Sequence, residues 1–331
     1  MQIGNRTIGD GPPMTIAELG MNHNGDLELA HRLVAAAADA GADAVKFQSF
    51  RTDRFLSPDI PDHEERRAYE LPISAFLELA RHAKDRGILA FSTPLDAESA
   101  DELATTGVPC FKLASCDLTN TPLIEHVARY GRPTIMSTGF STLDEISTAV
   151  EAFRRTGNDA LILMHCVAVY PTPLELSDVH SLATLREAFD RPVGLSDHSL
   201  GVTASTAATA LGAAIIEKHF TLDRSLPGYD HAMSETPESF AAVVTAVHEM
   251  HTALGDGRLA RSEVEQERTA TARRSLYWRR DLNAGHVVTS DDIDMLRPGH
   301  GMPPAKAIDV QGRTLTCDVQ SFKPVRPDDV G

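Results

Sequence analysis

The sequence predicts an α/β chain, a closed (β/α)8 TIM barrel followed by a small mostly-β module. Eight short apolar or β-branched runs alternate with stretches of helical apolar spacing. They occupy about the first 240 residues, the size of one such barrel. The same alternation permits a doubly wound open sheet, but no G-x-G-x-x-G turn follows the first run, which favours the barrel.

The predicted strands are Met14–Leu19, Ala44–Gln48, Ile88–Ser92, Cys110–Leu113, Pro133–Ser137, Ala160–His165, Pro192–Ser196 and Ala213–Lys218. After the first, Leu29, Ala30, Leu33, Val34 and Ala37 share one helical face, with Asp26 placed to cap its start and Gly41 its end. Ser141-Thr142-Leu143-Asp144 opens the helix after the fifth strand. Thr236-Pro237, a capping residue and a first-turn proline, opens the helix after the eighth.

The pattern breaks near residue 255. We read 1–254 as the barrel domain, 255–274 as a linker rich in Gly, Arg, Glu and Thr, and 275–331 as the second module. Its β-like runs are Ser275–Trp278, His286–Thr289 and Arg313–Cys317. So short a module holds little core of its own and is expected to lean on the barrel or on a neighbouring subunit.

With 31 Lys+Arg against 47 Asp+Glu, the net charge of −16 argues against nucleic acid as a partner, since no basic face displaces counterions from phosphates. No run approaches the roughly 20 apolar residues of a membrane span, and no secretion signal opens the chain. The expectation is a cytoplasmic protein. Cys110, Cys116, Cys166 and Cys317 form no CxxC pair and are expected to be reduced and mostly buried.

Reactive side chains of such barrels gather at the C-terminal ends of the strands. Those ends carry Glu18, Asn22 and His23; Lys46 and Gln48; Ser92 and Thr93; Lys112, Ser115 and Asp117; Ser137 and Thr138; His165 and Tyr170; Ser196, Asp197 and His198; and Glu217, Lys218 and His219. Lys46 and Lys112, with the hydroxyls of Thr93, Ser115 and Ser137, would make a pocket for a phosphorylated anion. His198 and His219 end adjacent strands and could share a divalent metal with open positions. Glu217, two residues before His219, faces the same side and could support that metal through its bound water.

The stretches Ala17–Gly25, Gly41–Gln48, Lys112–Ser115, Ser137–Gly139, Tyr170–Pro173, Gly194–Ser199 and Glu217–Thr221 together resemble the N-acetylneuraminate (sialic acid) synthase family. Met295–Gly301 resembles the signature of its C-terminal antifreeze-like (SAF) domain. The resemblance implies a metal-dependent transferase that condenses phosphoenolpyruvate with N-acetylmannosamine or a related acetamido sugar. It implies catalytic roles for Glu18, His198, His219 and Glu217, with Mn2+ or Mg2+ on His198 and His219. Phosphoenolpyruvate would be held by Lys46, Thr93, Lys112, Ser115, Ser137 and Ser196, and the sugar by Gln48, Tyr170, Asp230 and Arg297. Arg297 would reach into the other barrel of a domain-swapped homodimer.

Relatives that make legionaminic or pseudaminic acid from 2,4-diacetamido-6-deoxy sugars are an alternative. Ala168 stands where some members carry a polar residue, and Arg51–Leu71 matches the family least. Two further readings differ in class: a Schiff-base aldolase using Lys46 or Lys112, and a non-catalytic binding protein.

Overall fold

Each of the eight predicted runs forms a parallel strand in the computed structural model, which describes all residues, Met1–Gly331. They are β1 Met14–Gly20, β2 Ala44–Ser49, β3 Leu89–Pro94, β4 Phe111–Leu113, β5 Thr134–Ser137, β6 Leu161–Cys166, β7 Val193–Asp197 and β8 Ile215–His219. The ladder order is β3-β2-β1-β8-β7-β6-β5-β4. Last strand therefore pairs with first, Ile215 opposite Met14 and His219 opposite Glu18. The ring is completed where β3 and β4 lie side by side. The strands are buried almost throughout because side chains fill the lumen on one face and helices cover the other.

Helices follow the strands: α1 Leu27–Asp39, α2 Ile73–Asp85, α3 Ala97–Thr105, α4 Thr121–Ala128, α5 Leu143–Arg155, α6 Ser181–Phe189, α7 Thr203–Ala210 and α8 Pro237–Leu254. Asp26 caps α1 by accepting from the amides of Glu28 and Leu29, and the helix buries Ala30, Leu33, Val34 and Ala37. Leu29, expected on that face, lies at its edge and is partly buried. Ala40 is the C-cap, and Gly41 follows it at φ +87°, where a side chain would be strained. Thr142 and Glu145 form the capping box that starts α5, and Thr236 with Ser239 does the same for α8.

The chain divides into two compact units, Met1–Gly255 and Asp256–Gly331. The stretch 255–274, read from composition as a linker, contains a regular helix, α9 Glu263–Ala272. A Ser262/Glu265 capping box starts it, yet it buries no residue, which is why no apolar stripe announces it. In the second unit β9 Ser275–Trp278 matches expectation and pairs antiparallel with β10 Ile293–Leu296. The expected runs 286–289 and 313–317 are not strands; they meet only through single bridges such as Val287 with Thr314. Leu276, Trp278, Val310, Leu315 and Val325 form this unit's own small core. The cysteines are free, Cys110 and Cys166 buried, but Cys116 and Cys317 are exposed, contrary to the expectation of mostly buried thiols. No helix is long and apolar enough to cross a membrane.

Candidate active site

Alternation along the strands decides which polar residues face the lumen. Glu18, Lys46, Gln48, Lys112, Ser137, Ser196, Glu217 and His219 all line one cavity of about 170 Å³ at the C-terminal end of the barrel. Ser115, Tyr170 and His198, just past their strands, line it too.

Two lysines and two carboxylates form its floor. Lys46 Nζ lies 2.5 Å from Glu18 Oε2 and 3.6 Å from Glu217 Oε1, and Lys112 Nζ donates to Glu217 Oε1 at 3.1 Å. All four are buried. Burial opposes ionisation of Glu217, but Lys112 and Lys46 outweigh it and bring the carboxyl down to about 2. Burial pushes Glu18 up to about 7, with Lys46 opposing and Glu217 assisting the rise. Burial also holds Lys112 below its ordinary value, only partly offset by Glu217. Glu217 thus serves as a shared counter-anion for both lysines.

Hydroxyls surround this floor. Lys46 donates to Thr93 Oγ1 at 3.2 Å, and Ser196 Oγ donates to Glu217 at 3.2 Å. Ser115 Oγ accepts from the Gly139 amide at 2.9 Å. Ser137 Oγ is buried with no partner, free to meet a ligand.

His198 and His219 meet as expected, with ring centroids 5.3 Å apart. His198 Nδ1 donates to the Val167 carbonyl at 2.9 Å, which fixes its tautomer and leaves Nε2 with a lone pair. His219 Nδ1 is buried without a hydrogen-bond partner, and burial lowers this ring's proton affinity. Two imidazoles, each with a ring nitrogen left without a hydrogen-bond partner on one cavity, fit a divalent ion. No third His, Cys, Asp or Glu joins them, so such an ion would keep positions open.

On the sugar side, Gln48 Nε2 donates to Glu18 at 3.2 Å, and the Tyr170 ring lies 4.2 Å from that of His198. Asp230 Oδ2 stands 3.7 Å from His219 Nδ1. Gly20, at φ +46°, brings these groups together: a Cβ there would meet Glu18 Oε1 at 2.9 Å and Asp230 Oδ2 at 3.2 Å. Arg297, the remaining candidate, belongs to the C-terminal unit.

Several strand-end residues stay outside the cavity because the period-two alternation turns them toward the helices. Lys218 pairs with Asp197 at 2.9 Å and donates to the Ser199 carbonyl. His165 donates to the Ser177 carbonyl, and Ser92 pairs with Ser49. Asn22 ties the first loop to the Phe220 carbonyl and Ser234. Cys166, Phe55, Leu95 and Phe140 line the cavity but were not singled out as site residues. For Cys166 the same alternation was a usable signal, since it is one residue from the outward-facing His165. Leu95 and Phe140 sit on loops and Phe55 ends a four-residue helical turn, Thr52–Phe55, too short for a period to be read.

The NeuB family model matches residues 33–259. The chain belongs to the NeuB family. Lys46, Lys112, His198, Glu217 and His219 all fall within the stretch matched to it, and residues 273–331 match the SAF domain. An N,N'-diacetyllegionaminic acid synthase of Legionella pneumophila is 37% identical over 324 residues, 92% of this chain and 91% of that one. A pseudaminic acid synthase of Campylobacter jejuni is 36% identical, over 97% of each chain. Among solved structures, an N-acetylneuraminic acid (sialic acid) synthetase from Leptospira borgpetersenii superposes with TM-score 0.77 at 37% identity, covering 81% of this chain and 94% of that one. The NeuB-family chain is thus an eight-stranded parallel barrel joined to an SAF domain.

Proposed function

We propose that this protein joins phosphoenolpyruvate to the aldehyde of an open-chain acetamido sugar, with water, to give a nonulosonic acid and phosphate. N-acetylmannosamine, giving N-acetylneuraminate, is one acceptor. A 2,4-diacetamido-6-deoxy sugar, giving legionaminate- or pseudaminate-type products, is the other, supported by the activities of the two relatives above. The observation that carries the reading is one cavity holding two buried lysines and two carboxylates together with a pair of free imidazoles.

Lys46 and Lys112 supply the positive charge for the substrate's carboxylate and phosphate, and Ser115, Ser137, Ser196 and Thr93 the hydroxyl contacts. Glu217 keeps the two ammonium groups charged and close until the anionic substrate takes them over. Bound between His198 and His219, a divalent ion, Mn2+ or Mg2+, would polarise the aldehyde as a Lewis acid. C3 of phosphoenolpyruvate attacks the aldehyde carbon, water adds to C2, and phosphate leaves by cleavage of its bond to C2. Glu18 handles the proton: a carboxyl titrating near 7 can give one to the aldehyde oxygen and receive one from the added water. Gln48, Tyr170 and Asp230 orient the sugar, and a partner's SAF domain brings Arg297 to it in a domain-exchanged dimer. A cytoplasmic setting suits a phosphoenolpyruvate-consuming reaction.

The test is incubation with phosphoenolpyruvate, Mn2+ and a panel of acetamido sugars, measuring phosphate and keto-acid product together. Absence of both with every sugar overturns the reading. The lowered proton affinity of Lys112 favours a Schiff-base aldolase as the second reading. Borohydride with a keto acid should leave a trapped adduct only in that case.

A further inference from the structure

Phe140 is oddly placed for a residue that serves only the fold. It is 76% exposed, and its backbone lies in the left-handed region at φ +61°. That region is costly for an L-residue, and bulky side chains rarely enter it. Elsewhere in the barrel unit the non-glycine positions with positive φ are Asn24, Asp178 and Asp190, whose short polar side chains tolerate it.

Its neighbours pin it there. The Gly139 amide donates to Ser115 Oγ, and a Cβ on Gly139 would meet Ser115 Oγ at 2.8 Å and Cys166 Sγ at 3.1 Å. On the other side Ser141 Oγ donates to the Gly139 carbonyl, and Thr142 caps α5. The aromatic ring is thereby held on the cavity that contains Lys46 and His198. Strained, exposed and fixed backbone of this kind belongs to ligand clamps.

Further apolar side chains share the mouth with its polar lining. Tyr170, 50% exposed, follows β6, beside the β5 loop that carries Phe140. Phe55, at the end of the helical turn Thr52–Phe55 after β2, and Leu95, just after β3, also line the cavity. Apart from the two floor lysines and the two imidazoles, no cationic side chain lines the cavity. Such a rim gains by covering methyl groups and offers nothing to a second phosphate.

Resting on the proposed synthase reading, we infer that Phe140 is an acceptor-specificity residue whose ring, with Tyr170, Phe55 and Leu95, selects a 2,4-diacetamido-6-deoxy sugar over N-acetylmannosamine. The former presents two acetyl methyls and a C6 methyl. The latter has one acetyl methyl and a hydroxymethyl group that would be desolvated against the ring.

The experiment compares wild type, Phe140→Ala and Phe140→Gly in steady-state phosphate release with both sugars. Wild type should prefer the diacetamido sugar in kcat/KM by about tenfold or more, the scale on which apolar pockets discriminate methyl groups. Both variants should raise that sugar's KM by about tenfold and bring the preference toward unity, while the KM for phosphoenolpyruvate changes less than about twofold. Phe140→Gly relieves the backbone strain, so its melting temperature should equal or exceed that of wild type. A wild-type preference for N-acetylmannosamine, or variants that keep the wild-type sugar KM, overturns the inference alone. Wild type inactive with both sugars overturns the synthase reading and this inference with it.

Discussion

Lys112 and Glu217 stand 105 residues apart in the chain, yet Nζ donates to Oε1 at 3.1 Å. They belong to β4 and β8, on opposite sides of the ring. The pair therefore spans the lumen and braces the barrel while holding the proposed anion site. Glu217→Ala leaves Lys112 without its carboxylate and Lys46 with only Glu18. We expect a stability loss of about 3–5 kcal/mol in urea unfolding, the scale for orphaning a buried charge. A loss below about 1 kcal/mol would show the cavity is too wet for the pair to matter.

The two carboxylates give opposite pH signatures. Glu217 titrates below its unfolded value of 4.5, near 2, so its stabilisation is full above pH 4.5 and disappears as pH falls toward 2. Glu18 titrates above that value, near 7, so the folded state binds more protons than the unfolded one between pH 4.5 and 7. Stability from Glu18 therefore declines as pH rises through that window. Unfolding free energies of wild type and Glu18→Gln, compared from pH 4 to 8, should diverge in favour of the variant as pH rises. Parallel curves would mean Glu18 titrates normally.

His219→Ala should abolish turnover by about a hundredfold or more, the loss common when a metal-assisted step fails, with an unchanged melting temperature. Calorimetric titration with Mn2+ should show binding by wild type and none by the variant. Equal binding would place the ion elsewhere.

Arg297 is proposed to act on the partner's barrel. Lys112→Ala and Arg297→Ala should each be nearly inactive as homodimers. Mixing them under conditions that exchange subunits should restore about a quarter of wild-type activity, since one of the hybrid's two sites carries both intact residues. No recovery, with exchange confirmed, would show that Arg297 serves its own chain or no site at all.

Much of the fold was legible locally. All eight barrel strands begin and end within two residues of the expected edges, because each is a short apolar run between well-signalled helices. The C-terminal unit was harder: its backbone pairs through isolated bridges too short to carry alternation, so two of three expected runs are not strands and β10 went unread. At the site, Lys46, Lys112, His198 and His219 were legible as strand-end residues. Lys218 and His165 were gathered with them, although the parity of their strands turns them outward.

Periodicity along the chain determined which residues lie at the strand ends and in principle which way each side chain faces, because both follow from backbone geometry within a few residues. Ring closure alone decided that Glu217 answers Lys112 and Lys46, that Glu18 is the carboxyl titrating near neutrality, and that Phe140 is held over the mouth. Those relationships depend on distances between segments far apart in sequence, which are set when β8 pairs with β1 and the lumen excludes water.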